Sequence, residues 1–219
     1  MSKVRIWDLP TRLFHWLLVL AISGALVTQY LGGTAMAWHF RFGYLALSLV
    51  GFRVIWGLIG TRHARFASFV RGPSVILAYL RGRTAPDEAT PGHNPLGALS
   101  VLAMLAVVLL QTGSGLFASD DIAAQGPLAK FVDQGLSEQI STLHAQVGAN
   151  VIYALVGLHL CAIAYYRLRR RINLIWPMVS GDKAPARASD AVNDGWGLWA
   201  RALLCFLACA ATVGYLTSL

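Results

Sequence analysis

The chain has 219 residues, 56% of them hydrophobic and only 13% charged, about half the charged fraction of an ordinary globular domain. Apolar runs at this density read as membrane-spanning helices and exclude a water-soluble globular fold. The formal net charge of +8 does not indicate a nucleic-acid partner, because the basic residues fall between apolar runs, as in the cytoplasmic loops of membrane proteins.

A first span is expected over Pro10–Leu31, where Asp8 or Thr11 is placed to cap and Pro10 suits the first turn. No small-residue cleavage site follows, so the helix reads as retained rather than as a signal sequence. His15 sits a turn inside it. The loop Gly32–Trp38 leads to a second span, His39–Gly60, with His39 at its start and Arg53 near its far end. Thr61–Pro95 is a polar connection carrying Arg62, Arg65, Arg71, Arg81 and Arg83, within which Pro73–Leu80 suits a short surface helix. His63 and His93 lie in this connection and are read as loop residues rather than ligands.

A third span covers Leu96–Ala118. Ser119–Thr142 is expected to be an acidic loop, with Asp120, Asp121, Asp133 and Glu138 against Lys130. The fourth span, Leu143–Arg171, holds His144 and His159 and ends on Arg167, Arg169, Arg170 and Arg171. Gly181–Gly195 is expected to be a flexible linker before a fifth apolar helix, Trp196–Leu216. Residues 1–180 thus read as one four-helix domain, and 181–219 as a linker and an added helix. Cys161, Cys205 and Cys209 all fall in apolar helices and read as small packing residues. The absence of a C-x-x-C-H motif excludes covalent c-type haem.

The fold class expected is all-α: an integral membrane bundle of five transmembrane helices. Placing the N-terminus inside puts fifteen of the eighteen Lys and Arg residues on the cytoplasmic side, as the positive-inside rule requires. Each histidine then acquires a depth. His15 and His159 form an inner pair, and His39 and His144 an outer pair, with the fourth helix contributing to both. On a regular α-helix the fifteen residues from His144 to His159 bring the two side chains to within ~60° of each other and separate them by roughly 22 Å. Ionisable residues inside a span mark function.

Two neutral imidazoles facing each other across a bundle suit the axial positions of an iron porphyrin. Zinc would need further ligands at each depth, and no Asp, Glu or Cys accompanies either pair. Gly43 and Gly148 follow His39 and His144 by four residues, where a missing side chain admits a flat macrocycle; they equally suit close helix packing. Arg12 and Arg53 are candidates for the carboxylates of the inner haem and Arg41 for those of the outer haem, while Arg12 and Arg41 also suit snorkelling at the interface.

The stretches WDLPTRLFHW (Trp7–Trp16), RVIWGLIGTRHARFASFVRGP (Arg53–Pro73), GHNPLGAL (Gly92–Leu99) and LHAQVGAN with the later GLHL and NLIWPMVSG (Leu143–Gly181) resemble the prokaryotic b561-type cytochromes, in the branch containing the cytochrome b subunit of nickel–iron hydrogenases. The resemblance implies a four-helix haem-binding core holding two b haems, here with a fifth, C-terminal helix. It places the axial ligands on His15, His39, His144 and His159. The resemblance implies a spacing of fourteen residues between the last two in many relatives, so the fifteen found here would shift one ring slightly. The resemblance also implies a bacterial inner-membrane protein that carries electrons between quinone and a periplasmic redox protein: a hydrogenase, a dehydrogenase or a c-type cytochrome. An acidic outer loop suits steering of a basic cytochrome. Two alternatives are a superoxide:quinone oxidoreductase, which would want an outer cation such as Arg41 or Lys130 amid few acids, and a non-redox transporter or anchor.

Overall fold

A computed structural model describes residues 4–83, 92–119, 124–183 and 191–219. Among the described residues, five helical segments are long and apolar enough to cross a bilayer: Leu9–Leu31, Gly33–Ile59, Pro95–Gly115, Gln134–Leu168 and Trp196–Ser218. The elements run β1 (Val4–Arg5), α1 (Leu9–Leu31), a 3₁₀ turn (Gly33–Ala35), α2 (Met36–Ile59), α3 (Phe66–Phe69), α4 (Pro73–Leu80), α5 (Pro95–Gly115), α6 (Gln134–Thr142), a π-helical turn (Leu143–Gly148), α7 (Ala149–Leu168), α8 (Ile175–Ser180), β2 (Asp182–Lys183) and α9 (Trp196–Ser218). α2 is the most buried span. Ala46, Leu49, Val50, Arg53 and Trp56 recur along it at helical spacing and are all buried. Large apolar side chains elsewhere on the spans, among them Leu20, Val27, Leu110, Leu158 and Leu204, are exposed, as lipid-facing positions are in a chain whose solvent is hydrocarbon.

The chain divides into two compact units. One comprises Met1–Leu13, Arg53–Ala103 and Gly157–Leu203. Its centre is Asp8, only 1% exposed. One carboxylate oxygen caps α1 by accepting the Thr11 N–H at 2.6 Å, and the other accepts from the Thr61 hydroxyl at 2.5 Å and the Trp56 indole N–H at 3.3 Å. A single acid therefore ties the start of α1 to the end of α2. β1 pairs antiparallel with β2, Val4 opposite Lys183 and Arg5 opposite Asp182. Asp194 accepts from the Arg5 guanidinium (2.9 Å), the Leu9 N–H (3.2 Å) and the Trp199 indole (2.7 Å). Tyr166 joins the short helix α4 to the start of α5: its hydroxyl lies 3.0 Å from that of Tyr79 and accepts from the Asn94 amide at 2.6 Å.

The other unit comprises Phe14–Phe52, Met104–Val156 and Leu204–Leu219. Here Gly24 of α1 faces the ring of Phe42 so closely that any Cβ would overlap it. α9 packs on α2 through Phe206 against Phe52 (ring centres 6.4 Å apart) and Cys209 against Gly51.

Three expectations change. The fourth span begins at Gln134 rather than Leu143, because Asp133 caps a helix by accepting the Leu136 N–H at 3.0 Å. The polar sequence QGLSEQIST reads as loop, yet it winds continuously into the apolar run. Of the expected acidic loop, only residues before Gln134 are non-spanning, and Asp120 and Asp121 lie outside the described residues. The segment expected to be a flexible linker is anchored at its described ends, by β2, by the Val192 N–H on the Arg5 carbonyl and by Asp194.

Candidate functional site

His39 lies in the first turn of α2 and His144 in the π turn, both in the second unit. Their ring centres are 6.1 Å apart and their planes nearly perpendicular, at 85°. Two metal–nitrogen bonds of ~2 Å and two imidazole radii of ~1.1 Å require roughly 6 Å between ring centres. The gap therefore fits an iron atom held from both sides.

The outer nitrogens are fixed. His39 Nδ1 lies 2.9 Å from the Ala25 carbonyl of α1. His144 Nδ1 lies 3.0 Å from the Gln111 carbonyl and 3.1 Å from the Ser114 hydroxyl of α5. Carbonyl oxygens only accept, so each Nδ1 carries the proton and each Nε2 is left with its lone pair. The Ser114 hydroxyl donates to the Gln111 carbonyl at 2.8 Å, leaving its oxygen to accept from His144. Proton-fixing partners of this kind orient metal-ligating imidazoles and set their basicity. Among the described residues, no three His, Cys, Asp or Glu side chains converge as a conventional metal cluster would.

Small residues make this arrangement possible. Gly24 lets the Phe42 ring lie on α1, which brings the neighbouring Ala25 carbonyl within reach of His39. A Cβ at Gly115 would come within 2.9 Å of His144 Cε1. Gly43, one turn beyond His39, faces open space. Gly148 lies against a neighbouring helix. The π turn closes with the Ala149 N–H on the His144 carbonyl, so the residue one turn beyond His144 is Ala149, and the Gln111 side chain fills the space at Gly148. The ~60° angle between His144 and His159 assumed 3.6 residues per turn throughout, which does not hold across Leu143–Gly148.

His15 belongs to the second unit and His159 to the first; each is half-buried on its helix. Arg53 is 2% exposed, stacks on the Phe66 ring at 4.9 Å, and its Nη1 has no hydrogen-bond partner among the described residues. A buried guanidinium nitrogen without an acceptor fits a haem carboxylate. Arg12 donates to the Val179 carbonyl at 2.7 Å and lies 3.7 Å from Asp194, while its buried Nε has no hydrogen-bond partner among the described residues. Arg41 stacks on Trp38 at 4.6 Å, and Lys130 donates to the terminal Leu219 carbonyl. His63 is buried, and His93 packs between Trp7 and Phe69 at ring-centre distances of 4.8 and 4.7 Å. Burial pushes the His93 pKa down to about 3, with nearby Arg53 adding to the shift.

Gln111, Ser114 and Gly115 escaped the sequence reading. The signal was there: Gln-Thr-Gly-Ser-Gly interrupts an otherwise apolar span, and polar groups at membrane depth take partners on neighbouring helices.

The sequence profile of the prokaryotic cytochrome b561 family matches residues 6–181. The chain is similar to a probable Ni/Fe-hydrogenase B-type cytochrome subunit of Azotobacter chroococcum mcd 1, with 28% identity over 216 residues, covering 82% of this chain and 88% of the relative. The similarly described protein of Azotobacter vinelandii is 27% identical over 214 residues, with the same coverage of both chains. No solved structure matches.

Proposed function

The chain belongs to the prokaryotic cytochrome b561 family, and from that premise we propose that it binds two b haems and passes electrons between membrane quinone and a redox partner on the outer side. It is a multi-pass membrane b-type cytochrome, an electron-transfer protein.

The carrying observation is the His39–His144 pair, whose rings stand 6.1 Å apart with both Nδ1 atoms turned to main-chain carbonyls. The outer haem would lie between them. His15 and His159 would hold the inner haem, with Arg53 toward its carboxylates. A b haem supplies reversible one-electron chemistry at iron. His39 and His144 would hold that group through Nε2, which their Nδ1 bonds leave with a lone pair, while apolar helices would exclude water and Arg53 would supply a buried cation. With the N-terminus inside, the fourth span connects both sites across an inner bacterial membrane. Similarity to hydrogenase cytochrome subunits supports a hydrogenase-type partner docking at the outer ends of the helices.

The deciding measurement is the haem content of the purified chain by pyridine haemochrome assay. Two haems per chain are expected; one or none would overturn the proposal.

A further inference from the structure

The structure assigns Gln111 as the positioning residue of His144, gripping the ring and the main chain of that histidine at once. The assignment rests on reading His144 as an axial ligand. The main-chain carbonyl of Gln111 accepts from His144 Nδ1 at 3.0 Å, while its side-chain amide donates to the His144 carbonyl at 2.9 Å. One bond sets the rotation of the ring and the other sets the position of the backbone that carries it. With both in place, Nε2 cannot pivot away from His39.

The second bond falls where the helix is least able to hold itself. The His144 carbonyl is the acceptor that closes the π turn, taking the Ala149 N–H five residues on. A π turn is a local excess of one residue that persists where a neighbour supports it, often at functional sites. Gln111 brings a second donor to that carbonyl from α5. Gly148 admits the carboxamide, since any Cβ at 148 would overlap the Gln111 Oε1. Glutamine at 111 and glycine at 148 are therefore two parts of one clamp. The Gln111 carbonyl also lies toward the C-terminal end of α5, the negative end of that helix, which favours the Nδ1–H bond and the donor strength of Nε2.

The test is the EPR spectrum and midpoint potential of each haem in the full, haem-loaded chain carrying Gln111→Leu, Gly148→Ala, or both. One low-spin ferric signal should move its g-values and its potential in each single variant, at unchanged haem content. The double variant should shift no further than the larger single shift, as for two residues acting through one contact. Unchanged g-values and potentials in Gln111→Leu, or additive shifts in the double variant, would overturn the assignment. Gln111→Met, which keeps length without the amide, provides the same readout should the leucine variant not accumulate. His144→Ala separates the ligand role of His144 from the clamp at Gln111. Retention of both haems there removes the ligand reading itself, whereas loss of one haem with silent Gln111 variants overturns the clamp alone.

Discussion

Arg5 and Asp194, 189 positions apart in sequence, meet at 2.9 Å and join the N-terminal strand to the segment leading into α9. Burial pushes the Asp194 carboxyl up, but hydrogen bonds from Trp199, Leu9 and Arg5 outweigh it and hold the pKa below the ordinary carboxylate range. A lowered folded pKa contributes stability that is present above the unfolded value of about 4 and is lost as pH falls through the folded value. Asp194→Ala should lower stability by about 1–3 kcal/mol, read as an earlier thermal unfolding midpoint in detergent. The acid-side loss between pH 5 and 3 should shrink in the variant.

His93 responds to acid in a different window. Its folded pKa near 3 lies below the unfolded value of about 6.5, so between these pH values the unfolded chain binds a proton that the folded chain refuses. Stability is full above pH 6.5 and falls below it, by roughly 1.4 kcal/mol per pH unit at most. His93→Phe should flatten the change in unfolding midpoint between pH 7.5 and pH 5. An equal pH response in variant and parent would show that His93 is not the responsible group.

Removal of either member of a histidine pair should abolish the same haem. His39→Ala and His144→Ala are expected to leave one haem per chain and to give superimposable difference spectra; His15→Ala and His159→Ala should leave the other. Complete haem loss from a folded single variant would contradict two independent sites.

Arg53 offers a buried positive charge whose Nη1 has no hydrogen-bond partner among the described residues. Arg53→Met should lower the potential of one haem by about 60 mV, a tenfold change in a one-electron equilibrium. Arg53→Lys should recover part of the shift. Redox titration of the two haems checks both.

Dithionite-reduced protein should be reoxidised under anaerobic conditions by a soluble quinone analogue. Stopped-flow absorbance at the haem bands measures the rate, and complete inertness would remove quinone from the proposed circuit.

The spans were legible because hydropathy carries them, and α4 matched its expectation from Pro73 to Leu80, since proline at the first helical position fixes the start. Gln134–Thr142 hid in the sequence because it is helical yet polar, its cap resting on one residue, Asp133. Alternating topology pairs His39 with His144 by depth. The atoms that fix their protons were not, because main-chain carbonyls such as Ala25 and Gln111 leave no trace in side-chain chemistry. Gly148 was noticed for its missing side chain, but the space serves a glutamine whose position in a neighbouring span no periodicity reveals.

The π turn also bears on the spacing of the two histidines of the fourth span, which stand fifteen residues apart. An inserted residue would ordinarily rotate everything beyond it by about 100°. Winding Leu143–Gly148 with five residues between bonded partners takes up one residue more than regular α-winding would, as a slack loop taken up in a coil. Deleting Ala145 should therefore be better tolerated than deleting a residue from the α-wound stretch at Val151: the first returns the helix to regular winding, while the second throws the rest of it out of phase.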